Sequence, residues 1–186
     1  MTTPITLPRV INAAGHLSML GGGVTRADLA REIAAAVERF GRLDILINNA
    51  GTNIRKPPQE YSLAEWSEVL ETNLTSPFVC AQAAYPEMKR AGGGKIINIG
   101  SMYGVVGSYP DAYSDVPMCS PVAYHGLKGG VISMSRHMAV YWVGDGVRVN
   151  ILSPGPFPAP NVSPKMVERL SSKSPMKRMG KPYELK

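Results

Sequence analysis

The residue pair with the clearest chemical potential is a tyrosine and a lysine four positions apart, Tyr124 and Lys128. Ser120 suits a helix N-cap and Pro121 suits the first helical position, so a helix is predicted to begin here. Residues i and i+4 share a helix face, and a neighbouring ammonium lowers the pKa of a phenol because it favours the phenolate. Such a pair can exchange protons near neutral pH, although the same spacing is common on solvated helix faces.

The elements that must position this pair follow from the hydrophobic pattern. Helices are predicted over residues 25–40 with Thr25 as N-cap, over 62–90 with a possible break at 76–77, over 121–143, and near 164–170. Short apolar strands are predicted over 43–47, 95–99 and 147–152, with a further candidate over 17–20. Ser62 and Glu65 form a capping-box pattern. Strands that alternate with helices predict βαβ units, with a parallel sheet covered by helices on both faces.

Polar or small residues follow all three central strands, at Asn48–Gly51, Gly100–Ser101 and Ser153–Gly155. Ligands of parallel α/β sheets bind at the carboxyl ends of the strands. A single such turn is an ordinary loop, whereas three at one edge of the sheet predict a binding site.

Composition limits the classes of protein to consider. A length of 186 residues and 44% hydrophobic content suit one globular domain, and no apolar run reaches the ~20 residues of a membrane span. The start lacks the pattern of a secretory signal. Cys80 and Cys119 are unpatterned, which favours a reduced cytoplasmic protein. The three histidines have no metal-ligand spacing, so no metal site is predicted.

The net charge of +6 is concentrated at one end of the chain. Residues 165–186 hold seven Lys or Arg and two Asp or Glu, which leaves the preceding 164 residues at only +1. We therefore expect residues 163–186 to be a basic, solvated segment rather than part of a basic face, and we expect no nucleic-acid partner. A site for anionic groups is the alternative interpretation of the segment.

The order of these features resembles the short-chain dehydrogenase/reductase family. The features are Asn48–Gly51 after a strand, Asn73 within the next helix, Ser101 after the next strand and the Tyr124–Lys128 pair. The resemblance covers about residues 23–186 as a single domain. It implies a Rossmann-like α/β fold and an NAD- or NADP-dependent oxidoreductase that interconverts a secondary alcohol and a ketone.

The resemblance implies four catalytic residues. Tyr124 matches the acid/base, and Lys128 matches the residue that lowers the tyrosine pKa and binds the nicotinamide ribose. Ser101 matches the hydroxyl that orients the substrate oxygen. Asn73 matches an asparagine that holds a water for proton relay, although a polar residue at a helix break explains it too.

The resemblance also implies the cofactor contacts. The turn along the adenosine half matches Asn49, Ala50 and Gly51. The segment around the nicotinamide matches Pro154, Gly155 and Phe157, where only small residues or backbone can approach the ring closely.

The substrate is expected to contact the long loop between Ser101 and Tyr124. The spacing of 23 residues exceeds the family's usual gap, and the loop contains Tyr103, Tyr109, Asp111, Tyr113, Asp115 and Met118. Carboxylates accept hydrogen bonds from hydroxyls and aromatic rings stack on sugar faces, so the loop resembles members acting on sugars or sugar acids, such as gluconate dehydrogenases. Reduction of 3-oxoacyl thioesters is the alternative.

The family's opening glycine-rich turn has no counterpart here. Only 47 residues precede Asn48, and Gly15 and Gly21–Gly23 do not reproduce its spacing, so residues 1–22 are atypical. We expect the N-terminal βαβ unit and the last strand to be missing, which would leave the edge of the strand at 43–47 exposed. A non-catalytic fragment without cofactor affinity is therefore a second hypothesis. The family's helices matching 72–90 and 122–143 imply a homo-oligomer, a tetramer or dimer.

Overall fold

Four parallel strands form the sheet, in the spatial order β1 (Val10–Ile11), β2 (Ile45–Asn48), β3 (Gly94–Ile99) and β4 (Val147–Leu152). The register aligns Ile45 with Lys95 and Gly94 with Val147. The α/β fold with a parallel sheet is therefore confirmed. β4 has the predicted bounds, and β2 begins two residues later than predicted.

The computed structural model describes residues 10–11, 26–114, 116, 119–159 and 162–185. The predictions for the strand at 17–20, the Thr25 cap, Gly15, Gly21–Gly23, Asp115 and Met118 lie outside these residues.

β1 covers part of the edge of β2 that we expected to be exposed. Val10 aligns with Ile45 and Ile11 aligns with Leu46. The expectation is therefore wrong at these two positions. A short extended segment is enough to pair with the open backbone groups of an edge strand.

The helices are α1 (Arg26–Phe40), α2 (Leu63–Leu70), α3 (Ser76–Arg90), α4 (Val122–Trp142) and α5 (Pro164–Lys173). α1 ends at Gly41, whose φ of 77° suits a helix terminus. The capping box of Ser62 and Glu65 is confirmed at the start of α2. The break expected at 76–77 lies just earlier, as a π-helical turn over Glu71–Thr75 that joins α2 to α3.

The start of α4 differs from the prediction. Pro121 occupies the N-cap position with an extended backbone (φ −77°, ψ 130°), and the helix begins at Val122. Ser120 is therefore not the N-cap, and its Oγ lies 3.5 Å from His125 Nε2 instead. Because Pro121 itself has a ψ of 130°, it lies outside the helix, and Ser120 is one residue too early to cap the first turn.

A buried polar chain shows that α3 and α4 pack on the same face of the sheet. Asn48 Nδ2 donates to Pro77 O of α3 at 3.3 Å and to Asn98 Oδ1 at 2.7 Å, and Asn98 Nδ2 donates to Ser135 Oγ of α4 at 2.7 Å. Right-handed crossovers that advance in one direction place their helices on one face. Among the described residues, the helices that pack directly on the sheet cover this face, whereas the prediction placed helices on both.

The main core lies between this face and the helices. Leu46, Ile96 and Val149 are buried there against Met88 of α3 and Met138 of α4. Alternate strand residues on the opposite face are only partly buried or exposed. The sheet is therefore held mainly from the side that carries the Tyr124–Lys128 helix.

Candidate active site

The carboxyl ends of β3 and β4 are joined by backbone hydrogen bonds. Gly100 N donates to Leu152 O at 2.8 Å, and Met102 N donates to Pro154 O at 3.2 Å. A Cβ on Gly100 would lie 2.6 Å from Ser153 Oγ, so no larger residue fits without a shift. Two of the three polar turns predicted to form a site, those after β3 and β4, therefore lie side by side.

Lys128 is buried beneath the start of α4. It is 4% exposed, and its Nζ donates to Ile99 O at the end of β3 at 2.6 Å. Tyr124 lies one turn earlier on α4, with its ring centroid 5.6 Å from the Lys128 Nζ. Burial lowers the pKa of Lys128 to about 8, because desolvation disfavours the ammonium. The lysine thus has a fixed position beside the tyrosine and is charged below about pH 8.

Asn73 lies on the π-helical turn and points towards Lys128. It is 1% exposed, and its Nδ2 donates to Thr52 O at 2.7 Å and to Val69 O at 3.0 Å. Its Oδ1 is buried without a hydrogen-bond partner among the described residues. A Cβ on Gly51 would lie 2.9 Å from this Oδ1 and 3.9 Å from Lys128 Nζ. Gly51, Asn73 and Lys128 therefore form a floor with one free acceptor, in which Asn73 and Lys128 are buried and Gly51 is exposed.

A cavity of about 310 Å³ lies at the end of the sheet. Ser101, at the end of β3, lines it together with Tyr124, and Ser101 Oγ accepts a hydrogen bond from Tyr103 N at 3.2 Å. Further lining residues come from the segments after β2, β3 and β4 and from α5 and its flanks: Asn53, Arg55, Tyr103, Tyr113, Cys119, Ser120, Gly155, Phe157, Val162, Met166, Leu170 and Met179.

The C-terminal segment packs against the loop after β3. Together they form an outer wall beside the cavity, made of residues 109–113 and 166–179. Leu170 and Met179 are buried against Ala112, and Lys173 Nζ lies 2.7 Å from Asp111 Oδ2. The expectation that the basic segment is simply solvated is therefore wrong, because its apolar residues bury themselves against the loop after β3.

A family model described as short chain dehydrogenase matches residues 10–169. This chain belongs to the short-chain dehydrogenase family. The match begins at β1, earlier than the resemblance traced from residue 23.

Known short-chain dehydrogenases share both sequence and fold with the chain. A 3-oxoacyl-[acyl-carrier-protein] reductase of rhamnolipid biosynthesis from Pseudomonas aeruginosa is 32% identical, over 94% of this chain and 69% of its own. A D-threitol dehydrogenase from Mycolicibacterium smegmatis is 40% identical, over 69% of this chain and 46% of its own.

A solved short-chain dehydrogenase from Leptospira borgpetersenii with bound NAD+ superimposes with a TM-score of 0.79 at 32% identity, covering 87% of this chain and 61% of that one. The chain thus spans between about half and two thirds of the length of the relatives it matches.

The structure brings most of the predicted short-chain dehydrogenase residues to one place. Ser101, Tyr124, Gly155 and Phe157 line the cavity, while Lys128 and Asn73 lie in the floor. The Asn49–Gly51 turn follows β2, with Asn49 and Gly51 exposed and Ala50 partly buried. Pro154 is held through its carbonyl group, which accepts from Met102 N.

Two of the loop residues expected to contact substrate do not line the cavity. Asp111 pairs with Lys173, and the Tyr109 ring lies 4.4 Å below the same Lys173 Nζ. Tyr103 and Tyr113 do line the cavity, with their hydroxyl oxygens 3.0 Å apart.

Several lining residues escaped the sequence reasoning. Arg55 and Asn53 follow directly after the Asn49–Gly51 turn, so the strand-end rule that located the turn could have located them too. Met166, Leu170 and Met179 carried no such signal, because only tertiary packing brings the C-terminal segment to the cavity.

The residues present fit the nicotinamide half of NAD or NADP. The floor offers a buried acceptor without a partner, and the ammonium of Lys128 has further N–H groups beyond the one bonded to Ile99. Gly155 has open space around its Cα, which allows a planar group to approach the backbone. Within the described residues, no group of His, Cys, Asp and Glu could hold a metal ion, and no helix is long and apolar enough to span a membrane.

Proposed function

We propose that the chain carries the catalytic part of an NAD(P)-dependent oxidoreductase that interconverts a secondary alcohol and a ketone, on a sugar or sugar acid. The supporting observation is the shared cavity of Ser101 and Tyr124, with the Lys128 ammonium buried beneath the tyrosine. A phenol and a serine hydroxyl beside a buried cation suit proton transfer to or from a carbinol oxygen.

Each residue of the site has a defined task in this proposal. In oxidation, Tyr124 accepts the proton of the substrate hydroxyl, and in reduction it donates that proton to the ketone oxygen. Ser101 donates a hydrogen bond to the same oxygen and holds it near the phenol. Lys128, while protonated, places a positive charge 5.6 Å from the centroid of the Tyr124 ring.

The free acceptor in the floor supports a proton route to Lys128. Asn73 Oδ1 is buried and unpartnered among the described residues, and buried acceptors are nearly always satisfied by protein or water. We propose that Asn73 holds a water which exchanges protons with Lys128.

The cofactor would be held by three groups of residues. Tyr124 and Lys128 would contact the nicotinamide ribose. The nicotinamide itself would lie against Pro154, Gly155 and Phe157, and the adenosine half would lie along Asn49, Ala50 and Gly51. When bound, NAD or NADP accepts or donates the hydride that the protein's own side chains cannot carry.

A sugar or sugar acid is supported by the two cavity tyrosines, Tyr103 and Tyr113, and by the D-threitol dehydrogenase among the relatives. The alternative 3-oxoacyl thioester is supported by the apolar wall of Phe157, Met166, Leu170 and Met179 and by the Pseudomonas reductase. A panel of aldonates, alditols and 3-oxoacyl thioesters, followed by nicotinamide absorbance, discriminates between the two.

The decisive experiment combines cofactor titration with turnover. Nicotinamide fluorescence should report binding of NADH or NADPH, and turnover of an alcohol or ketone should require Tyr124. Absence of both binding and turnover would favour the hypothesis of a non-catalytic fragment.

We also propose a homo-oligomer in a reducing, cytoplasmic environment. Phe78 of α3 and Val140 and Tyr141 of α4 are exposed apolar residues on the helices expected to form the interface. Cys80 and Cys119 are free thiols. Light scattering of the purified chain tests the oligomer.

A further inference from the structure

The cavity has one charged side chain among its described lining residues, Arg55. No described Asp or Glu lines the cavity, and no ion pair joins Arg55 to another described residue. Ser101 and Tyr124 line the same space of about 310 Å³. A small molecule in this cavity can therefore contact the hydroxyl groups of Ser101 and Tyr124 and the guanidinium of Arg55.

The loop that carries Arg55 is held on both sides. Ile54 packs against the cluster of Val69 and Leu127, and its carbonyl oxygen accepts a hydrogen bond from the Tyr61 hydroxyl. Lys56, the next residue, pairs with Glu65. Arg55 is thus the member of this loop whose positive charge remains available to the cavity.

One of the two acidic loop residues expected to contact the substrate, Asp111, is engaged elsewhere. Asp111 pairs with Lys173 in the outer wall, and this cation lowers the pKa of Asp111. The balance of charge at the cavity is therefore positive rather than negative among the described residues.

We infer that the substrate is a hydroxy acid, whose carboxylate is bound by Arg55 while its reacting hydroxyl lies at Ser101 and Tyr124. The inference rests on the proposed function, and it selects the sugar acid over the neutral sugar. A guanidinium binds a carboxylate through two parallel N–H groups, whereas it adds little for a neutral hydroxyl. The single positive charge of the guanidinium also balances one carboxylate, whereas a phosphate monoester carries a charge of about −1.5 to −2.

The test compares binding of gluconate with that of glucitol, which has the same number of carbons and no charge. Calorimetry in the presence of NADH, which prevents oxidation of either compound, should give at least roughly tenfold tighter binding of gluconate, the value of one charge-assisted hydrogen bond. In Arg55→Gln the preference should fall to within about threefold. Arg55→Lys, which keeps the charge without the paired N–H groups, should retain part of it.

Arg148→Gln is the matched control, since it makes the same substitution at an exposed arginine of β4 that does not line the cavity. It should keep the preference for gluconate. Thermal unfolding followed by circular dichroism verifies that every variant is folded.

Three outcomes would overturn the inference. One is a wild-type chain that binds glucitol as tightly as gluconate, or binds neither. Another is an Arg55→Gln chain that keeps the preference. The third is a clear preference for glucitol 6-phosphate over gluconate, which would assign the cavity to a phosphate. Each can occur while the chain still oxidises an alcohol with NAD+ or NADP+, so failure of this inference is distinguishable from failure of the proposed function.

Discussion

The floor and the outer wall of the cavity are built in different ways. The floor of Gly51, Asn73 and Lys128 is set by the turn after β2, the π-helical turn between α2 and α3, and the start of α4, and two of its side chains are nearly inaccessible. The wall joins a loop near residue 110 to a helix near residue 170, through a small apolar cluster and an exposed ion pair. Under the proposed function, we expect the chemical step to depend on the floor and substrate choice to depend on the wall.

The largest expected effect comes from the residue that lies between floor and wall. Tyr124→Phe removes the acid/base hydroxyl and keeps the ring, so turnover should fall by about 10³-fold or more. Affinity for NADH should stay within about threefold, as measured by fluorescence titration. Tyr141→Phe, an exposed tyrosine at the other end of α4, should have no effect on either. Comparable turnover of the two variants would contradict the role of Tyr124.

Lys128→Met should lower turnover and raise the free energy of unfolding. The folded pKa of Lys128 is about 8, below its usual value of 10.5, so burial of the ammonium is unfavourable at every pH below 8. Between pH 8 and 10.5 the unfolded chain binds more protons at this group, and the wild type regains that stability as the pH rises. At pH 7 the variant should be about 1–2 kcal/mol more stable in urea unfolding, after allowance for the lost hydrogen bond to Ile99.

The difference in stability between wild type and Lys128→Met should shrink from pH 8 to 10.5. Lys95→Met on β3 is the control, since Lys95 is exposed. A pH-independent difference for Lys128→Met would show that folding does not lower the pKa of Lys128.

Gly51→Ala tests how closely the floor is packed. Its Cβ would lie 2.9 Å from Asn73 Oδ1, so the asparagine must move, and we expect a loss of about 1 kcal/mol in urea unfolding with a severalfold fall in turnover. Gly107→Ala, which meets nothing within 4 Å, should change neither quantity. Equal effects of the two substitutions would mean that the floor tolerates displacement.

Asp111→Asn should have the smallest effect, because it acts on the wall. The pair with Lys173 is partly exposed, and such pairs contribute less than about 1 kcal/mol. We expect KM for substrate to rise up to about threefold with kcat unchanged. Glu87→Gln, which breaks a surface pair with Arg90 away from the cavity, should leave KM unchanged. A large fall in kcat for Asp111→Asn would contradict the expectation that the wall affects substrate binding and not the chemical step.

Much of the fold was predictable because strands and helices leave local patterns. The bounds of β4 and the capping box of Ser62 and Glu65 followed directly from residue types. The start of α4 and the pairing of Val10–Ile11 did not, since the first depends on the backbone conformation around Pro121 and the second on a partner strand more than thirty residues away.

The sequence by itself determined the family, the three central strands and the polar turns that follow them, because periodicity and strand-end chemistry are local. Only the tertiary structure decided that the basic C-terminal segment is a cavity wall, that Asp111 is engaged by Lys173, and that Arg55 carries the charge of the cavity. These features depend on which segments, distant in sequence, pack their apolar side chains together, and local sequence patterns do not predict such packing.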